Sequence, residues 1–134
     1  MDINRKTMIR PPASIGIIGG GQLGRMLAME AKRMGYGVVV LDPTPDCPAG
    51  QVSDKQIVAA FTDMAALLDL ARTTDVITYE FEHIDASALK CLEAEGYRVL
   101  PSADTLHIIQ NKYNQKSFLK NAGLPVPQFY KVES

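Results

Sequence analysis

Ser14-Ile15-Gly16-Ile17-Ile18-Gly19-Gly20-Gly21-Gln22-Leu23-Gly24-Arg25-Met26-Leu27 is the stretch that decides the fold of this chain. A short apolar, β-branched run ends in three glycines, after which Leu23, Leu27, Ala31 and Met34 recur at helical spacing. The order is strand, tight turn, helix. Gly35 closes the helix as a glycine C-cap does, and Val38 to Leu41 is an apolar run too short and too branched to be helical. The unit is therefore βαβ.

Working outward, Pro43 to Gly50 reads as a loop and Ile57 to Ala60 as a third strand. Thr62 is expected to cap a helix whose apolar stripe is Met64, Leu67, Leu68 and Ala71. Val76 to Tyr79 makes a fourth strand that runs into the acidic segment Glu80-Phe81-Glu82. Asp85 is a good N-cap for a helix carrying Ala88, Leu89 and Leu92, which Gly96 ends before a fifth strand around Val99 and Leu100; Ser102 then starts another helix. Strands alternating with helices of this length predict an α/β fold, a Rossmann-like doubly wound parallel sheet with right-handed crossovers. From Asn111 the character changes to a polar amphipathic helix bearing Gln115, Phe118, Leu119 and Ala122, closed by Gly123, with a possible strand at Phe129 to Val132. The expected division is a flexible leader over residues 1–13, one domain over 14–110, and a linker helix with the start of a second domain over 111–134.

At 134 residues, with 46% hydrophobic and 22% charged residues, the composition is that of a folded globular domain. A formal net charge of −1 provides no field for collecting nucleic acid or an anionic membrane, so any anion must be held by local geometry. Cys47 and Cys91 form no C-x-x-C pair and read as reduced thiols of a cytoplasmic protein. No apolar run approaches the roughly 20 residues needed to cross a bilayer. Neither nucleic acid nor membrane is an expected partner.

Gly19-Gly20-Gly21-Gln22-Leu23-Gly24 satisfies G-x-G-x-x-G in the context that motif requires, directly after a strand and at the head of a helix. Glycines let the main chain turn tightly, and the N–H groups of the first helical turn then point at an anion or polar group. One reading is dinucleotide binding, with Asp42 near the place of a ribose-binding acid. Against it stands Glu80 at the end of the fourth strand, because the carboxyl ends of parallel strands are where an open α/β sheet binds ligand. A carboxylate there suits a ribose diol. Glu82 is as consistent with a solvated or capping acid as with a functional one, and His83 beside it reads as a surface residue.

The strings Ile17 to Leu27, Leu41-Asp42-Pro43, Asp75 to Ile84, Pro101-Ser102 and Ile109-Gln110-Asn111-Lys112 together resemble the N-terminal region of the 5-(carboxyamino)imidazole ribonucleotide synthases, members of the ATP-grasp superfamily. The resemblance runs from about Ile15 to the end. It implies a pre-ATP-grasp domain followed by the start of an ATP-grasp domain. It also implies an ATP-dependent carbon–nitrogen ligase of purine biosynthesis, homodimeric at full length, in which ATP, bicarbonate and 5-aminoimidazole ribonucleotide react through carboxyphosphate with Mg2+ bridging the phosphates. Carried over residue by residue, Gly21, Gln22, Leu23 and Glu80 lie against the ribonucleotide, and Lys112 touches ATP. No catalytic residue or metal ligand is expected within this stretch, because the glycine-rich lid and the magnesium carboxylates of the family have no counterpart in it; by itself it is expected to be inactive. The formate-dependent glycinamide ribonucleotide transformylases have a similar turn but usually carry Glu where this chain has Gln22, and they stand as the alternative within the superfamily. A dinucleotide-binding domain and a non-catalytic α/β module are the alternatives outside it.

Overall fold

The computed structural model describes residues 8–132. Its elements in chain order are β1 (Ser14–Ile18), α1 (Gln22–Arg33), β2 (Gly37–Asp42), a 3-10 turn (Gly50–Val52), β3 (Lys55–Val58), α2 (Met64–Thr73), β4 (Val76–Tyr79), α3 (Ala86–Ala94), α4 (Ala103–Gln110) and α5 (Lys112–Asn121). The four strands form one parallel sheet in the order β3-β2-β1-β4. The chain therefore steps outward from β1 to β2 and β3, then crosses to the other side of β1 for β4. This reversal opens a crevice at the carboxyl ends of β1 and β4, where open α/β sheets bind ligands.

Side chains alternate across a strand, and here the alternation assigns each face its own core. Ile17, Val38 and Val40 face α1 and pack with Ala28, Ala31, Cys47 and Ala49. Ile18, Val39, Leu41 and Ile77 face the other way, among Leu67, Leu70, Leu89, Leu92 and Leu106 of α2, α3 and α4. Helices thus cover both faces, which is the doubly wound α/β arrangement expected.

Polar ties secure the lower ends of the strands. Asp75, just before β4, accepts from the Ser14 N–H at 2.7 Å and the Ser14 hydroxyl at 2.9 Å. These bonds hold its carboxyl below the usual carboxylate range. Asp54 accepts from the Val38 N–H at 2.8 Å and pairs with Lys32, and the Lys32 hydrogen bond is the largest cause of its lowered pKa.

Several boundaries differ from the sequence reading. The third strand is Lys55–Val58 rather than 57–60, because its partner β2 ends at Asp42, opposite Val58, and Ala59 and Ala60 have no neighbour to pair with. Asp63, not Thr62, caps α2, its carboxylate accepting from the Ala66 N–H at 3.1 Å. The fifth strand is reduced to one parallel bridge, Ile77 with Val99. Phe129 to Val132 forms no strand among the described residues. There the chain folds back on α5 through side chains, with the Tyr113 and Phe129 rings edge-on at 5.6 Å. Of the leader, residues 1–7 lie outside the described residues. Residues 8–13 run against the domain, the Ile9 carbonyl accepting from the Tyr36 hydroxyl at 3.0 Å and the Ala13 carbonyl from the Gly37 N–H at 3.0 Å. No described helix is long and apolar enough to cross a membrane.

Candidate functional site

The glycine turn leaves β1 at the crevice and becomes α1 without a side-chain cap of its own. An uncapped helix start exposes several N–H donors and the positive end of the helix dipole. Two carboxylates from distant parts of the chain answer them. Asp42, at the end of β2 and buried, accepts from the Gly20 N–H at 2.8 Å and from the Thr44 N–H at 2.8 Å. Glu80, at the end of β4, accepts from the Gly21 N–H at 2.9 Å through one oxygen and from the Gly24 N–H through the other. Among the described residues, the N–H groups of Gln22 and Leu23 are left without a hydrogen-bond partner, and both residues are exposed.

The glycines are needed chiefly for these internal contacts. Gly19 has φ +103°, and a Cβ there would lie 2.5 Å from Glu80 Cγ. A Cβ on Gly24 would meet the carbonyl oxygen of Gly19 at 2.4 Å, which is backbone and cannot swing away. The β2–β3 loop walls the turn on one side. The Ala49 N–H donates to the Gly20 carbonyl at 2.9 Å, and Arg25 donates to the Pro48 carbonyl and to Gln51 Oε1.

This arrangement bears on what the turn can bind. A dinucleotide pyrophosphate uses the turn's N–H groups as its anion site. Here the Glu80 carboxylate already accepts from two of those N–H groups, Gly21 and Gly24, which sets a negative charge beside the remaining two, and Asp42, the acid expected on a ribose, is turned inward onto Gly20. A carboxylate has about four lone-pair sites, so Glu80 keeps acceptor capacity after its two bonds to the turn. The crevice thus presents two N–H donors beside an anionic acceptor, a combination suited to hydroxyl and amine groups rather than to phosphate.

A family model described as the ribonucleotide synthetase preATP-grasp domain matches residues 12–110. The chain belongs to this family. Among curated relatives, N5-carboxyaminoimidazole ribonucleotide synthase of Brucella melitensis is 52% identical over 119 residues, 89% of this chain and 33% of that protein. Its counterpart in Bacillus subtilis is 47% identical over 130 residues, 96% of this chain and 34% of that protein. Among solved structures, the Thermotoga maritima N5-carboxyaminoimidazole ribonucleotide synthetase aligns with a TM-score of 0.85 and 56% identity over 91% of this chain and 34% of that one. The Aspergillus clavatus N5-carboxyaminoimidazole synthase, solved in complex with ADP and 5-aminoimidazole ribonucleotide, aligns with a TM-score of 0.78 and 41% identity over 87% of this chain and 31% of that one. The chain spans about a third of the length of the curated relatives it matches.

Within this preATP-grasp domain, the structure brings Gly21, Gln22, Leu23 and Glu80 together at the crevice. Lys112 stands at the head of α5, exposed, with no hydrogen bond or ion pair to the turn among the described residues. His83 is exposed, 4.0 Å from Glu82, and Glu82 meets the rest of the domain through its carbonyl rather than its carboxylate. That carbonyl and the carbonyl of Ile84 both accept from Gln110 Nε2, at 2.9 and 2.8 Å. Sequence reasoning missed this tie, because a polar residue at the end of a helix looks like a solvated one. Among the described residues, no group of three or more His, Cys, Asp or Glu side chains is placed to hold a metal ion.

Proposed function

We propose that this chain is the ribonucleotide-binding part of an ATP-dependent carbon–nitrogen ligase that carboxylates 5-aminoimidazole ribonucleotide in purine biosynthesis. The observation that carries the proposal is the crevice between β1 and β4, where Gln22 and Leu23 offer unpaired N–H groups beside the Glu80 carboxylate. The family and the Aspergillus relative's bound ligands support the choice of nucleotide.

In this reading the Gln22 and Leu23 N–H groups bind acceptor atoms of the ribonucleotide, and the remaining lone pairs of Glu80 accept from its ribose hydroxyls. Glu80 then serves twice, holding the turn in shape and orienting the sugar. The local field is unfavourable to a phosphate at the same spot, so the phosphate is assigned to basic residues outside this stretch. Residues 14–110 constitute the binding domain, and residues 111–134 begin the ATP-grasp domain, with Lys112 reaching ATP. Mg2+, most of the ATP contacts and the activation of bicarbonate are assigned to the remainder of a longer, homodimeric, cytoplasmic protein, as the resemblance to the family implies.

Two measurements test this. In calorimetric titrations the chain binds 5-aminoimidazole ribonucleotide weakly and NAD not at all; tighter binding of NAD would overturn the assignment. In an ADP-release assay with each substrate omitted in turn, residues 1–134 show no turnover dependent on ribonucleotide and bicarbonate, and the longer protein does. Stimulated turnover by residues 1–134 would relocate the chemistry to Glu80, Glu82 and His83.

A further inference from the structure

We propose that Gln110 is a positioning residue that ties the loop carrying Glu80 to the start of α5. The segment after β4 has no regular secondary structure until α3, so its backbone polar groups need partners from elsewhere. Gln110 supplies them. Its amide nitrogen has two hydrogens, and each finds a carbonyl, that of Glu82 at 2.9 Å and that of Ile84 at 2.8 Å. At its start the loop is held by Glu80, whose N–H donates to the Ile18 carbonyl at 3.2 Å and whose carboxylate holds the turn; beyond Glu80, Ile84 is buried and the Phe81 ring packs edge-on against Phe61 at 5.1 Å. Gln110 is thus the polar anchor two and four residues beyond Glu80.

Its place in the chain gives the contact its consequence. Gln110 is the last residue of α4, and the next residue, Asn111, leaves the helix at φ −113° and ψ 114°. Asn111 then caps α5, its side-chain oxygen accepting from the N–H groups of Tyr113 and Asn114. Adjacent residues therefore hold the Glu80 loop and set the first turn of α5. Displacement of α5 is transmitted through one peptide link to the loop, through Glu80 to the N–H groups of Gly21 and Gly24, and so to the turn.

The positional claim is tested without any ligand, by amide hydrogen exchange on the full chain. Gln110→Ala removes the donors, and Gln110→Glu keeps the shape while setting acceptors against two carbonyls. Both variants should exchange the Gly21 and Gly24 amides on the order of 10-fold faster, about one hydrogen bond's worth. The Ile17 and Val40 amides should be unchanged, and Gln110→Glu should be at least as severe as Gln110→Ala. In a Glu80→Gln background, Gln110→Glu should add little further acceleration, since both changes release the same clamp. Unchanged exchange at Gly21 and Gly24, equal acceleration at Ile17 and Val40, or full additivity with Glu80→Gln would each overturn the role. The consequence for ribonucleotide affinity rests on the function proposed above, and Gln110→Glu should weaken that affinity by a similar factor. If the unaltered chain binds no ribonucleotide, the substrate assignment fails while the exchange data still decide the role of Gln110.

Discussion

Replacing Glu80 with glutamine keeps the side chain's size and removes its charge at the point where two loop amides converge. The carboxylate accepts from Gly21 through one oxygen and from Gly24 through the other, whereas a glutamine has one acceptor oxygen and one NH2 group. One of the two amides must therefore face another donor. A hydrogen bond to a charged acceptor is worth about 1.5–3 kcal/mol, and a negative charge at a helix N-terminus adds about 0.3–1 kcal/mol. Glu80 is only partly buried, so solvent takes back some of this, and the expected loss is about 1–3 kcal/mol. Urea unfolding followed by far-UV circular dichroism measures it globally. Amide exchange at Gly21 and Gly24 measures it locally, where the same loss corresponds to roughly 5- to 150-fold faster opening. Ribonucleotide affinity should fall as well, because the turn that presents Gln22 and Leu23 loses its shape. A Glu80→Gln chain within about 0.5 kcal/mol of the original, with unchanged exchange at both glycines, would refute the clamp.

Gly24→Ala should destabilise the chain by about 1–3 kcal/mol, since its Cβ would lie 2.4 Å from a backbone oxygen; denaturant titration checks this, and a neutral result would mean the turn can re-form around a methyl group. Asp75→Asn should cost about 1 kcal/mol at neutral pH, because the carboxylate accepts two hydrogen bonds from Ser14. A carboxyl held below its ordinary 3.8 in the folded state adds stability above that pH and loses it as pH falls through the folded value. The difference between the two chains should therefore be flat near neutrality and close below about pH 4 in a series of melting curves. A difference that widens on acidification would show that Asp75 is not held as described.

Much of the fold was legible because the signals are local. Apolar β-branched runs, helical stripes and glycine stops depend on neighbours a few residues away, and so do Asp85 and Ser102, each of which caps the helix expected after it. The limits of β3 and the pairing of Val99 depend on where a neighbouring strand ends, which no local pattern encodes. The site divides in the same way. The sequence by itself determined that a glycine turn heads a helix and that Glu80 closes a strand. Only the tertiary structure decided that β4 lies beside β1, which brings Glu80 across 56 to 59 residues onto the amides of Gly24 and Gly21 and turns Asp42 inward onto Gly20. Gln110 entered the sequence reading only within a string that carries the resemblance, and its tie to the Glu80 loop was not legible there, since its two partners lie 26 and 28 residues away on a loop whose course is set by packing rather than by periodicity.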